Sequence, residues 1–172
     1  MTRPSASERA ALESKVIEIL AEHRLMTVAT LRPDGWPQAT VVGYASDGLT
    51  LYFVVPRASQ KVRNIARNPR ISIAIGADRP GAGSIRGLSM AALAGEVTDM
   101  AEVERLNELV WRRYPEHRVF SPGVSSVALM KAEPQIVSVI DFAAPGDRTQ
   151  ELRLAPAGRT RSRPGAAPQP TL

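Results

Sequence analysis

A chain of 172 residues and 18.6 kDa has the size of one domain and can bury a core without disulfide or metal staples. Hydrophobic residues at 44% and charged residues at 23% match soluble globular averages and argue against a disordered or fibrous chain; the absence of cysteine excludes disulfide frameworks, thiolate metal sites, iron–sulfur clusters and cysteine nucleophiles, and fits a reducing compartment. The 22 Lys and Arg against 17 Asp and Glu give a net charge of +5 and a pI near 10.2, a balance that suits nucleic acid, an anionic surface or a small anionic ligand.

Ser5 or Ser7 caps an opening helix in which Leu12, Val16, Ile19, Leu20 and His23 recur along one face of a 3.6-residue period. Glu8, Glu13, Glu18 and Glu22 interrupt this stretch, so it is no signal peptide. No apolar run approaches the ~18 residues of a membrane span, and the expected location is the cytoplasm. Leu25 to Leu31 reads as a strand, followed by the turn Arg32-Pro33-Asp34-Gly35. Gln38 to Ala45 makes a second strand, and Asp47-Gly48 a hairpin turn into a third from Leu49 to Val55. Ser59 to Asn68 changes to a helical period with Val62, Ile65 and Ala66 on one face, stopped at Asn68-Pro69. Arg70 to Ile75 alternates as a strand, and Ser89 to Val97 is another across the Gly-rich loop 76 to 87. Asp99 with Glu102 predicts a capping box, opening a helix striped by Val103, Leu106 and Val110. Val124 to Lys131 and Gln135 to Phe142 are the last two strands. Seven short, mostly hairpin-linked strands predict a mainly β fold, an antiparallel sheet curled into a barrel with peripheral helices. The expected division is an N-terminal helix over 1–24, the barrel over 25–142 and an extension over 143–172. From about residue 155 that extension is rich in Pro and Gly, carries Arg159, Arg161 and Arg163, and reads as disordered.

Most catalytic signatures are missing. Gly81 to Gly87 imitates a dinucleotide-binding loop, but its spacing is one residue too long and a strand follows it. His23 and His117 are the two histidines and share no ligand spacing, so no metal site is expected. There is no G-x-S-x-G nucleophile elbow. The informative segment is Pro56-Arg57-Ala58-Ser59-Gln60-Lys61-Val62-Arg63-Asn64-Ile65, where a strand runs into a helix N-terminus. Unpaired N–H groups, the positive end of the macrodipole, a serine hydroxyl and two cations can converge there on one phosphate. An ordinary serine cap with solvated charges is the alternative. Lysine is scarce, three against 19 arginines, which sets Lys61 apart. Arg57, Lys61, Arg63, Arg67 and Arg70 also form a run free of acids, but at 5% aromatic content the chain lacks stacking side chains for single strands, and nucleic acid is not the expected partner.

Met26-Thr27-Val28-Ala29-Thr30, the turn through Gly35, Asp47-Gly48-Leu49-Thr50-Leu51-Tyr52-Phe53, and Ser59-x-Lys61 followed by Asn68-Pro69-Arg70 resemble the pyridoxamine 5′-phosphate oxidase-like flavin-binding split-barrel superfamily over about residues 20 to 142. Ile136 to Phe142 is similar to its flavin-binding and general-stress members. The resemblance implies an antiparallel split barrel of six or seven strands, a homodimer, and flavin mononucleotide (FMN) held between subunits for an oxidoreductase reaction on a small substrate. A deazaflavin coenzyme in the same pocket, or a flavin-binding stress protein without turnover, are its alternatives. Carried over by position, Lys61 and Ser59 meet the flavin phosphate, with Gln60 where the oxidases proper have arginine and Arg57 as a compensating cation. Thr40, Val41 and Val42 lie along the flavin ring, Phe53 and Val54 form the strand beside it, and Ser89 or Met90 reaches it from the fifth strand. The resemblance supplies no catalytic acid, base or nucleophile. True oxidases of pyridoxamine phosphate carry an Arg-x-His motif near the C-terminus, and this chain has no histidine beyond His117, so that substrate is not expected.

Overall fold

The computed structural model describes residues 5–77, 85–114, 126–142 and 149–154. The expectations made for most of the Gly-rich loop and for disorder beyond residue 155 lie outside those residues. Helix α1 (Ala6–Glu22) is opened by Ser5 in a reciprocal box: Glu8 N–H donates to Ser5 Oγ at 3.2 Å and Ser5 N–H to the Glu8 carboxylate at 2.7 Å. It buries Val16, Ile19 and Leu20 against the barrel, and the Tyr44 hydroxyl pins its last turn by donating to the Leu20 carbonyl at 2.8 Å.

The chain continues through β1 (Leu25–Leu31), β2 (Pro37–Gly43), β3 (Ala45–Asp47), β4 (Thr50–Pro56), α2 (Gln60–Arg67), β5 (Arg70–Ala77), β6 (Arg86–Glu96), α3 (Met100–Arg113), β7 (Val127–Asp141) and β8 (Thr149–Arg153). All pairings are antiparallel, in the order β2-β1-β5-β6-β7-β4-β3 with β8 added to β7. The sheet curls until β2 comes back against β4, although the two stand near opposite ends of the pairing order. This is the expected mainly β, antiparallel split barrel. Its core takes the inward residues of successive strands, among them Met26 and Val28, Phe53 and Val55, Ile71, Ile73 and Ile75, Leu88 and Met90, and Val137 and Val139. A second cluster of Tyr52, Val97, Val103, Leu106 and Leu129 seats α3 on the outside of β4 and β7.

Four local expectations change. The last two strands are one, because β6 pairs with β7 through a bulge at Ala91/Ala92 opposite Pro134; a proline, having no N–H to give, is tolerated at such an irregularity. The expected strand from Gln38 to Ala45 divides at Tyr44: Pro37–Gly43 pairs with β1, whereas Ala45–Asp47 pairs with β4. The buried Tyr44 ring anchors that crossing, and its N–H meets the Arg24 carbonyl at 3.2 Å and the Tyr114 hydroxyl at 3.0 Å. The box predicted for α3 is half made. Asp99 accepts from Ala101 N–H at 2.9 Å, but the Glu102 carboxylate turns to the sheet and accepts from Lys131 at 3.1 Å and from the Tyr52 hydroxyl at 3.3 Å. Finally, Thr149–Arg153 is a strand that places Leu152 in the core.

Candidate functional site

Where β4 ends the chain turns tightly. Arg57 N–H donates to the Ser126 carbonyl and Ser59 N–H to Pro56, each at 2.9 Å. Ser59 takes the extended N-cap conformation of α2, yet its hydroxyl makes no capping bond. Its Oγ is buried with no hydrogen-bond partner. The caps of α1 and α3, Ser5 and Asp99, are both engaged. The N–H groups of Gln60, Lys61 and Val62 have no acceptor within the helix, so this corner combines unfilled donors with an idle hydroxyl.

The buried face of α2 differs from the one expected. Lys61, Asn64 and Ile65 are buried, whereas Ala66 is exposed and Val62 half-buried. Lys61 is therefore not solvated: it is 8% exposed. Of the three lysines, Lys15 pairs with Asp141 at 2.8 Å and Lys131 with Glu102 at 3.1 Å, while Lys61 has no ion pair or hydrogen bond among the described residues. Burial pushes its pKa below the ordinary lysine value. Arg63, Arg67 and Arg70 are exposed, as the sequence pattern required.

Asn64, fully buried, docks α2 on the sheet. Its Nδ2 donates to Thr30 Oγ1 on β1 at 2.9 Å and to Gln38 Oε1 on β2 at 3.2 Å. Thr40 is the next residue on the Gln38 side of β2, about 7 Å further along a strand that rises ~3.4 Å per residue. Its Oγ1 is a second buried hydroxyl without a partner. Two of the three buried side-chain polar atoms left unpaired among the described residues, Thr40 Oγ1 and Ser59 Oγ, thus belong to residues singled out from the sequence.

The other candidates are placed differently. Val42 is half-buried against the core, while Val41 stands 65% exposed on the opposite face of β2 and Val54 is exposed on β4. The Phe53 and Met90 side chains lie in the core, so what these positions offer a ligand is backbone; Ser89, the other candidate on β6, is exposed. Arg57 Nη1 pairs with Glu96 at 2.7 Å and Nη2 donates to the Val127 carbonyl at 3.0 Å, which aims the guanidinium at the β6–β7 end. Gln60 uses both amide atoms within α2: Nε2 donates to Asn64 Oδ1 and Oε1 accepts from Arg63 Nη2, each at 2.8 Å. Asn64 escaped the sequence reading, although a polar residue flanked by Lys61 and Ile65 on a buried face was its signal. No group of three or more potential metal ligands occurs among the described residues, and no described helix is long and apolar enough to cross a membrane.

Residues 12–141 match the family model for pyridoxamine 5′-phosphate oxidase. The chain belongs to that family. General stress protein 26 of Bacillus subtilis (strain 168) is 23% identical over 130 residues, covering 76% of this chain and 89% of the relative. Among solved structures, a candidate pyridoxamine 5′-phosphate oxidase from Listeria innocua superposes with a TM-score of 0.62 at 26% identity, over 74% of this chain and 97% of that one. A heme-binding protein from Mycobacterium smegmatis has a TM-score of 0.65 at 22% identity, over 89% of this chain and 60% of its own longer length, and shares the fold.

Proposed function

We propose that this chain binds FMN at the α2 corner and is a flavin-dependent oxidoreductase acting on a small substrate. The observation that carries the reading is a buried lysine without counter-charge, Lys61, beside an idle Ser59 hydroxyl at an uncapped helix N-terminus. A buried ammonium is costly until an anion joins it, and a phosphate ester brings negative charge together with acceptors for the hydroxyl and for the free N–H groups. The site therefore fits the phosphate end of the cofactor. Lys61 and Ser59 would hold that phosphate, Thr40 Oγ1 would offer a polar contact from β2, and Val41 and Val54 would supply apolar surface. When bound, FMN brings the electron-transfer chemistry itself, so the chain is left to bind, orient and exclude water.

The functional unit in this reading is a homodimer. The outer face of β1, β2, β5 and β6 is built of cross-strand rows such as Val41-Thr27-Ala74-Ser89 and Ala39-Ala29-Ser72-Ala91. It carries no charge along those rows, and Trp36 at the hairpin end is 72% exposed. An uncharged surface of this extent favours burial against a second copy.

The test is to purify the protein, record its visible spectrum, and titrate the apoprotein with FMN, a deazaflavin coenzyme and hemin. Saturable FMN binding that weakens in Lys61→Ala supports the reading. Preference for the deazaflavin transfers the same phosphate site to that coenzyme, and failure to bind either flavin, or binding of hemin alone, overturns it.

A further inference from the structure

We propose that Asn64, Gln60 and Arg63 form a positioning relay that holds the Ser59–Lys61 corner in register with β2, and that Gln60 serves the site through this relay rather than by touching the bound anion. The proposal rests on the phosphate reading above and adds to it how the two halves of the site are kept together.

The relay can be followed bond by bond. The Asn64 amide spends both donor hydrogens on the sheet, one on Thr30 Oγ1 and one on Gln38 Oε1. Its oxygen accepts from Gln60 Nε2 at 2.8 Å. That bond fixes which way the Gln60 amide points, since its nitrogen must face Asn64 and its oxygen must then face outward. The outward oxygen accepts from Arg63 Nη2 at 2.8 Å, and Arg63 Nη1 donates to the Ala58 carbonyl at 2.6 Å. Ala58 O belongs to the peptide that leads into Ser59. A continuous chain of bonds thus runs from β1 and β2, through the buried interior of α2, to the loop that carries the idle hydroxyl.

This chain has a division of labour. Its inner end is fully buried at Asn64 and carries the docking of the helix. Its outer end, Gln60 to Arg63 to Ala58, is solvent-exposed and contributes little to global stability, because such bonds exchange readily with water. What the outer end does is remove freedom from the Ala58–Ser59 peptide, which otherwise is held by the single Ser59 N–H to Pro56 bond. A phosphate site made of backbone N–H groups depends on that freedom being lost before the ligand arrives. Gln60, with both amide atoms occupied, is therefore a positioning residue.

The decisive variant is Gln60→Met, which keeps length and loses both bonds without disturbing the buried Asn64 contacts to the sheet. Native-state amide hydrogen exchange on the apoprotein should show the hydrogen-bonded amides of Ser59 and Arg63 opening about three- to tenfold faster, a net loss of about one hydrogen bond's worth because the exposed Arg63 bond is largely replaced by water, with the barrel strands unchanged. FMN affinity should fall by a similar factor while affinity for riboflavin, which lacks the phosphate, stays the same. Unchanged exchange at Ser59 and Arg63 overturns the relay, whether or not FMN affinity changes; loss of FMN binding without altered exchange makes Gln60 a direct contact. Faster exchange with unchanged FMN affinity also overturns it, because the loop would then be ordered without serving the site. A wild-type protein that binds no FMN removes the phosphate reading, and the exchange result alone then decides the relay.

Discussion

Replacing Lys61 by methionine should have two effects of opposite sign. Lys61 is 8% exposed as a residue and has no partner among the described residues, so the apoprotein carries an uncompensated charge that a side chain of similar length and no charge relieves. The expected gain in the ligand-free protein is about 1–3 kcal/mol, which for a chain of this size raises Tm by roughly 3–10 °C. Binding moves the other way. Losing a charged hydrogen bond to phosphate costs about 1.5–3 kcal/mol, or about 10- to 150-fold in FMN affinity, and should leave riboflavin binding unaltered. Because burial lowers the Lys61 pKa from its ordinary 10.5, the charge penalty is fully present below the folded-state pKa. It fades as the pH rises from there to 10.5, the interval in which the unfolded chain holds more protons than the folded one. The stability advantage of Lys61→Met should therefore be greatest at neutral pH and vanish above that interval. Thermal unfolding of the apoproteins across pH and flavin fluorescence titrations read the two effects separately. A methionine variant less stable than wild type without ligand, or equal losses of FMN and riboflavin affinity, would refute the reasoning.

Three further outcomes follow from particular contacts. Gly87→Ala should destabilise by about 2–4 kcal/mol in denaturant unfolding, because its Cβ would stand 2.5 Å from the Ile75 carbonyl oxygen; its register partner Gly76, whose nearest contact would be 3.4 Å, should tolerate alanine with a smaller shift. Val41→Arg, at a position 65% exposed on the uncharged outer face, should turn a dimer into a monomer in light scattering, and a dimer that survives would place the interface elsewhere. Burial raises the Tyr44 pKa to about 12, so in an alkaline absorbance titration one tyrosine should ionise near that pH and the step should disappear in Tyr44→Phe. Since the unfolded tyrosine loses its proton from pH 10 upward, this group withdraws stability between 10 and about 12.

The sequence disclosed what depends on neighbours along the chain. Alternation in Arg70 to Ile75, the turns at Gly35 and Gly48, and the cap at Ser5 each follow from a few consecutive residues, and the split barrel follows from their order. What stayed hidden depends on distant partners. Pro134 looked like a strand break because the bulge that accommodates it involves Ala91 and Ala92 across the sheet. Tyr44 looked like strand interior because its hydroxyl partner, the Leu20 carbonyl, lies 24 residues away. At the candidate site, the Ser59-x-Lys61 spacing pointed to the corner where the buried lysine and the unpaired hydroxyl stand, yet the helix face was read from Val62, Ile65 and Ala66. The actual buried face is turned by about one residue, since the two amides of Asn64 and Gln38 hold it there. That rotation is what takes Lys61 out of water, and no apolar periodicity could announce it.

Strand β7 has two different neighbours along one edge: β4 covers residues 127–132, and β8 covers residues 136–140. The family match ends at residue 141, but the sheet does not. A chain shortened after Asp141 would lose Leu152 from the barrel interior and leave the backbone donors and acceptors of Ile136 to Ile140 on that side open to a strand from any other molecule. The last strand thus closes an edge of the sheet, and a fragment cut where the family likeness stops should self-associate through that edge.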